Sequence, residues 1–327
     1  MTDTLFEDYS FALCLTHDID RPYKRLHHAL YYGLGQRSSR HLRSIFEDGN
    51  PYWQFEHVAA LEDDLGVRSA FYVLDEPHLF TDRSPREWLV PENWVQYLGR
   101  YDITSTAIAE TIRDLQTRGW EVGLHGSFKS AEDPGRMRAE KQRLSSVLQS
   151  EPRGVRQHHL RLSEPETWEV QSALGFEYDA SVGSGTEYGF GVGMDESIST
   201  DATGDVDPGY GLLRPLENDF VVFPLTLMEQ ALPDPGKDFE TAWNACLDLL
   251  EEAQANAAVM TVLWHPRFFS QTEFPGYTRL YRRLVEHAQK TGAWVGSPGS
   301  LLDALDDRTI DEIATAPVVE SSTVPHQ

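Results

Sequence analysis

Strand-like apolar runs alternate with helix-like runs along most of this chain, and four of the strands end in a cluster of ionisable side chains. Phe11 to Thr16 reads as a buried strand, Phe55 to Leu65 as a helix stopped by Gly66, and Arg68 to Leu74 as the next strand, which together make one βαβ unit. A helix capped at Thr104 or Ser105 leads through Leu115 to Gly119, and Trp120 to Leu124 forms the third strand. The alternation continues with a helix over Pro134 to Gln149, a strand over Val155 to Leu160, a helix over Ser163 to Leu174 and a short strand over Phe176 to Ala180. Phe220 to Met228 resumes as a strand, followed by a helix from Asp238 to Gln254, a strand from Val259 to Trp264 and helices over Tyr277 to Lys290 and Ser300 to Leu305. Such alternation predicts an α/β fold with a parallel sheet, and a barrel as its architecture. If the strands all end at one rim, the clusters at His17-Asp18-Ile19-Asp20, His125, Arg156 to Arg161 and His265 converge on one site. Acids and imidazoles gathered in this way point to a metal-dependent hydrolase.

A chain of 327 residues with 40% hydrophobic content can bury one large core. Residues 1–310 are expected to form a single catalytic domain, and the Pro, Ser and Thr-bearing stretch 311–327 a disordered tail. From Ser181 to about Gly211 the sequence turns to Gly, Asp, Ser and Thr, which reads as a long loop over the site, and 75–101 reads as an irregular insertion. No apolar run is long enough to span a bilayer, and the first residues lack a secretory pattern. Cys14 and Cys246 fall in a predicted strand and a predicted helix, which suits reduced structural thiols and a cytoplasmic protein.

The formal net charge of -24 disfavours nucleic acid as a partner, because carboxylates repel a polyphosphate backbone. Only five of the 28 basic residues are lysines, a surface bias of the kind found in salt-loving archaea. Net charge argues solubility, however, and leaves the chemistry to particular residues.

Asp18 and Asp20 are two apart, so on a continuing strand their carboxylates share one face while His17 and Ile19 take the other. Like charges so placed call for a divalent cation or for division into ligand and base; the plainer alternative is that one caps a turn before Pro22. His125 can offer a neutral nitrogen to zinc, with Gly126 admitting close backbone approach, or can be a hydrogen-bonded core histidine. Continued strand alternation groups Gln157, His159 and Arg161 on one face and turns Arg156 and His158 away, which makes His159 and Arg161 the site-facing pair. His265 stands before Pro266, which ends its strand, and is placed to act as a general acid. Asp179 and Ser181 end another short strand, where they could support substrate or cap a turn. The remaining histidines, His27, His28 and His41 among them, read as surface residues.

Taken in order, Thr16-His17-Asp18-Ile19-Asp20, His125-Gly126-Ser127-Phe128-Lys129-Ser130, Arg156 to Arg161, Asp179-Ala180-Ser181 and Leu263-Trp264-His265 resemble the motifs of the polysaccharide deacetylase family, also called NodB-type or carbohydrate esterase family four. The resemblance spans Phe11 to Leu305 and implies an irregular seven-stranded (β/α) barrel that binds a divalent metal, usually zinc, and removes acetyl groups from N-acetylated sugars or glycans. It implies Asp18 as catalytic base, His125 as metal ligand, Arg161 or Arg156 as the arginine that orients the base, and His265 as acid. Two departures mark a divergent branch. Ile19 separates aspartates that are usually adjacent, so Asp20 as metal ligand rests on geometry, and Lys129 stands where the family has a second histidine, which leaves the third ligand to His159 first or His17 second. Tyr188, Phe190, Tyr210 and Trp53 are candidates for stacking on sugar rings. An allantoinase-like hydrolase of another carbon-nitrogen bond and a metal-free carbohydrate-binding barrel are the competing readings.

Overall fold

The computed structural model describes residues 5, 9–35, 41, 49–80, 85–90, 94, 97–194 and 209–315. Among these, eleven strands join one sheet: β1 (Phe11–Ile19), β2 (Ala70–Leu74), β3 (Glu121–Gly126), β4 (Gly154–Gln157), β5 (Tyr178–Asp179), β6 (Leu212–Leu213), β7 (Val221–Val222), β8 (Leu225–Met228), β9 (Val259–Leu263), β10 (Ala293–Gly296) and β11 (Ala314–Thr315). Helices fill the crossovers: α1 (Leu26–Gly35), α2 (Phe55–Leu65), α3 (Thr106–Thr117), α4 (Pro134–Leu148), α5 (Glu166–Ala173), α6 (Phe239–Ala255), α7 (Tyr277–Lys290), α8 (Pro298–Ala304) and α9 (Asp307–Ile313). Capping fixes several of their starts. Asp133 accepts the Arg136 amide ahead of Pro134, Asp238 accepts the Thr241 amide, and Gly66 ends α2 at φ +68, a conformation glycine adopts without penalty.

The order β11-β6-β7-β5-β4-β3-β2-β1-β9-β8 is parallel except at β6 against β7, and β10 adds to the start of β1. As the longest strand, β1 changes neighbours along its length: Phe11 to Cys14 pair with β10, Ala12 to Thr16 with β9, and Thr16 to Ile19 with β2. The ends of the sheet approach each other. Leu225 N donates to Val182 O at 2.7 Å and Gly189 N to Thr226 O at 2.9 Å, so the chain leaving β5 lies against β8, at the far end of the strand order. Gly183, at φ +150, allows the approach, because a Cβ there would stand 2.6 Å from the Leu225 Cβ. The result is a curled α/β sheet with two cores. Ala12, Cys14, Ala70, Tyr72, Tyr178 and Phe223 pack inside the curl, while Leu13, Leu15, Phe71, Val73 and Leu124 pack outward with the helices. This division is the period-two alternation of a strand covered on both faces.

A buried carboxylate ties α2 to the outer side of the sheet. Glu62 accepts from the Ser69 amide and hydroxyl, from Trp120 Nε1 at 2.6 Å and from Tyr281 OH at 2.6 Å, and meets His17 Nε2 at 2.9 Å. The other ring nitrogen of His17 meets the Trp264 carbonyl, and its ring packs on Phe71, which places it in the outer core.

Three sequence expectations change. The run Phe220 to Met228 breaks at Phe223-Pro224 into β7 and β8, because proline cannot donate to a ladder, and the two pieces pair with different partners. The strand expected to reach Leu160 ends at Gln157, where the chain enters a tight turn with His159 at φ 60 and Leu160 at φ 54. The expected tail beyond residue 310 is ordered at first: α9 runs to Ile313, and Ala314–Thr315 pair with β6; residues 316–327 lie outside the described residues. The long loop expected over 181–211 is described only through Met194 and from Gly209. No helix among the described residues is long and apolar enough to cross a membrane.

Glu140 on α4 receives the Ser127 amide at 3.0 Å and its hydroxyl at 2.5 Å, fastening the turn that follows His125. Burial pushes this carboxyl up to about 8, with Asp75 and Glu76 adding to the rise against the Ser127 hydrogen bonds. The folded chain therefore favours the protonated form, a contribution complete below the unfolded value of 4.5 and lost as pH rises towards about 8. Glu140→Gln, which cannot ionise, is expected to narrow the drop in Tm between pH 5.5 and pH 8 by about 2 °C or more in calorimetric scans.

Candidate active site

The parallel register sets Leu74 beside His125 and His125 beside Arg156, so the last residues of β2, β3 and β4 line up at one rim. Asp18 emerges at the same rim from β1, opposite Tyr72. From β4, Arg156 reaches across the inside of the curl. Its Nη1 donates to Asp18 Oδ1 at 3.0 Å and to Thr16 Oγ1 at 2.7 Å, its Nε donates to Ala180 O at 2.7 Å, and its guanidinium lies 4.7 Å from the centre of the Tyr72 ring. Burial works against the charge of Asp18, but His125, Arg156 and His265 outweigh it and hold the carboxyl below its ordinary range.

The rim opens on a cavity of about 640 Å³ lined by Asp18, Asp20, His125, His158, His159 and His265, together with Arg21, Arg267, His27 and His28, and with Leu74, Leu98, Leu160 and Met228 as apolar surface. Asp20 Oδ1 accepts from Arg267 Nη1 at 2.6 Å, and its Oδ2 lies 4.0 Å from His265 Nε2. Burial again opposes ionisation, and Arg267 with His265 reverses it, so Asp20 is held well below the carboxylate range. His125 Nδ1 donates to the Arg156 carbonyl at 2.9 Å, which leaves Nε2 without a proton, 3.7 Å from Asp18 Oδ2. Burial lowers the His125 pKa, with Asp18 opposing, and burial lowers His158 far more, helped by His125 and His159. His265 Nδ1 faces Glu229 at 2.9 and 3.1 Å, and its backbone amide donates to the same carboxylate, so Glu229 fixes the ring and directs Nε2 towards Asp20.

The structure therefore brings together Asp18, Asp20, His125, His159 and His265 of the residues singled out in the sequence. Arg161 is not among them: it pairs with Glu132 at 2.5 Å and lies over Phe128 at 4.3 Å, and the position beside Asp18 belongs to Arg156. Strand alternation placed this pair the wrong way round because the strand stops at Gln157. His158 is correspondingly buried with no hydrogen-bond partner for Nδ1 among the described residues, while His159 is exposed and stacks on it at 4.2 Å. His17 belongs to the Glu62 network in the outer core, away from the rim. Asp179 and Ser181 are buried and outside the lining. Asp179 accepts from Ser181 Oγ, Ser181 N and Gln171, and Ser181 Oγ accepts from Gln157 N, so the pair fastens β5 to β4. Lys129 also stands apart, 4.0 Å from Glu87. Among the described residues no phenylalanine, tyrosine or tryptophan lines the cavity; Trp53 packs on Tyr23 and Phe55, and Phe190 on Tyr210.

Glu229, Arg267 and His28 escaped the sequence reading. Glu229 follows the strand end at Met228, so the strand-tip rule that found His125 and His265 applies to it equally. Arg267 and His28 act from turns and helices, where no period marks them.

No protein-family model and no curated protein matches the sequence. Comparison with solved structures gives clear matches across nearly the whole chain. A structure described as a polysaccharide deacetylase from Mycobacterium smegmatis superposes with a TM-score of 0.58 at 16% identity, covering 98% of this chain and 96% of the other. The fold is that of the polysaccharide deacetylases. A second structure so described, from Pseudomonas aeruginosa PAO1, gives a TM-score of 0.53 at 14% identity, covering 90% of this chain and 91% of its own. Puue allantoinase gives 0.52 at 13% identity, covering 90% of each chain, so the same fold carries a second activity.

The two arginines are expected to behave differently. Arg156→Met leaves a buried Asp18 charge unpaired and should lower unfolding stability by about 3 kcal/mol, whereas Arg161→Met should change it by no more than about 0.5 kcal/mol, both read from urea denaturation.

Proposed function

We propose that this chain is a metal-dependent hydrolase of non-peptide carbon-nitrogen bonds that removes N-acetyl groups from a sugar or polysaccharide, on an irregular seven-stranded (β/α) barrel. The observation that carries the reading is the pair of oppositely equipped groups facing one cavity: Asp18, held ionised by Arg156, and His265, backed by Glu229. Proton abstraction and proton delivery need two such groups with separate environments.

Among the described residues no three metal donors stand together as a closed set. The donor chemistry nevertheless fits a divalent cation, for which zinc is our assignment. Asp20 is an ionised carboxylate, His125 has an unprotonated Nε2, and His158 Nδ1 is buried without a partner. These three would hold the ion, with His158 in place of the more exposed His159. When bound, the ion would polarise the amide carbonyl and acidify a water. Asp18 takes the proton of the water that adds to the carbonyl carbon, Arg156 keeps that carboxylate aimed, and His265 delivers a proton to the nitrogen as the carbon-nitrogen bond breaks, releasing acetate and an amine. The buried thiols Cys14 and Cys246 suit a reducing compartment, so we place the protein in the cytoplasm.

The likeness to an allantoinase supports a second reading, hydrolysis of a ring amide by the same groups. Acetate release from N-acetylated sugars and ring opening of allantoin, assayed side by side with added zinc at high salt, separate the two. Asp18→Asn is expected to lower acetate release at least about 100-fold; equal release by both proteins removes Asp18 as base. Elemental analysis of the purified protein should give one zinc per chain, lost in His158→Ala and kept in His159→Ala.

A further inference from the structure

The charges of the cavity differ from those of the chain that surrounds it. Acidic residues outnumber basic ones 52 to 28 overall, yet the described lining holds only Asp18 and Asp20 against Arg21, Arg267 and six of the twelve histidines. The two carboxylates are already answered, Asp18 by Arg156 at 3.0 Å and Asp20 by Arg267 at 2.6 Å. Arg21 is left over. Its Nε comes no closer than 3.7 Å to Asp20, it makes no hydrogen bond among the described residues, and its side chain is 30% exposed.

The wall that carries Arg21 is held in place by its neighbours. Lys24 donates to Glu273 at 2.7 Å, and the Arg25 guanidinium donates to the Leu98 and Arg100 carbonyls at 2.9 and 2.6 Å. His27 and His28 follow on the same wall with ring centres 4.0 Å apart, and among the described residues no carboxylate forms an ion pair with either. Burial and then the positive neighbours His27, Arg21 and Arg267 hold His28 down at about 3. A planar guanidinium with open donors beside two imidazoles is equipped to receive a doubly oxygenated anion. Among the described residues the lining also lacks the phenylalanine, tyrosine and tryptophan rings on which a neutral sugar would stack.

We propose that the molecule taken into this cavity is an anionic amino sugar, with Arg21, His27 and His28 receiving its carboxylate or phosphate. This deepens the deacetylase reading and rests on it for the identity of the reacting group. The negative charge of the whole chain opposes such a ligand only at long range, and at about 0.15 M salt that field is screened beyond about 8 Å.

The test uses amino sugars that have no acetyl group to lose, so that turnover cannot interfere. Glucosamine, glucosamine 6-phosphate and muramic acid are titrated calorimetrically into the full chain at fixed salt; the second carries a phosphate and the third a carboxylate. At least one anionic sugar is expected to bind about tenfold or more tighter than glucosamine, and Arg21→Gln or His27→Gln should shrink that gap while leaving Tm unchanged. Preference for one anionic probe identifies the anion. Equal binding of all three sugars, or a gap that survives both substitutions, overturns the proposal. A chain that binds anionic sugars through Arg21 but releases no acetate keeps this inference and loses the deacetylase reading, and acetate release without anion preference does the reverse.

Discussion

Arg156 brings a full positive charge into the interior of the curled sheet, where water cannot solvate it, and every feature of the rim answers that fact. Removing a guanidinium from water costs several kcal/mol unless opposite charge and hydrogen bonds replace the lost hydration. Asp18 and Thr16 from β1 and the Ala180 carbonyl at the end of β5 supply them. Because β1 and β4 are separated in the sheet by β2 and β3, the bond between their side chains exists only if the sheet curls. The same interaction therefore fixes curvature, ionises the carboxylate proposed as base and aims it at the cavity. His125 is drawn in as well, since it donates to the carbonyl of Arg156 itself.

One strand serves two electrostatic networks because its side chains alternate. Thr16, Asp18 and Asp20 face the inside of the curl and its rim, where arginines answer them. His17, between them, faces outward to Glu62, and through Glu62 to Ser69, Trp120 and Tyr281. Glu62 thus anchors a helix and the entries to two further strands behind the rim, and His17 links that anchor to the carbonyl preceding His265. A buried carboxylate with this many donors is stable without a metal, and it explains why the histidine beside two site aspartates does not join them.

Much of this was legible beforehand where a strand ran straight. Alternation correctly separated Asp18 and Asp20 from His17 and Ile19, and the apolar run ending at His265 put that ring at the rim. It failed at Arg156 to Arg161, since a period of two holds only while backbone angles stay extended, and the turn at His159 and Leu160 ended the strand early. His28 was invisible for another reason: a helix or turn residue becomes part of a cavity through the packing of its element, which no local pattern records. Asp179 and Ser181 show the opposite error. Their position at a strand tip was read rightly, but they satisfy one another and their neighbours rather than facing the cavity.

The sequence by itself determined the alternation of strands and helices, the parallel sheet that follows from it, and the collection of acids and imidazoles at strand ends, because each depends on side-chain periods and on where apolar runs stop. Only the tertiary structure decided which arginine meets Asp18, that Glu229 backs His265, and that Arg21, His27 and His28 line the same cavity. Those are contacts between residues distant in the chain, fixed by the curl of the sheet and by the need of each buried charge for a partner, and neither is written in any local stretch of residues.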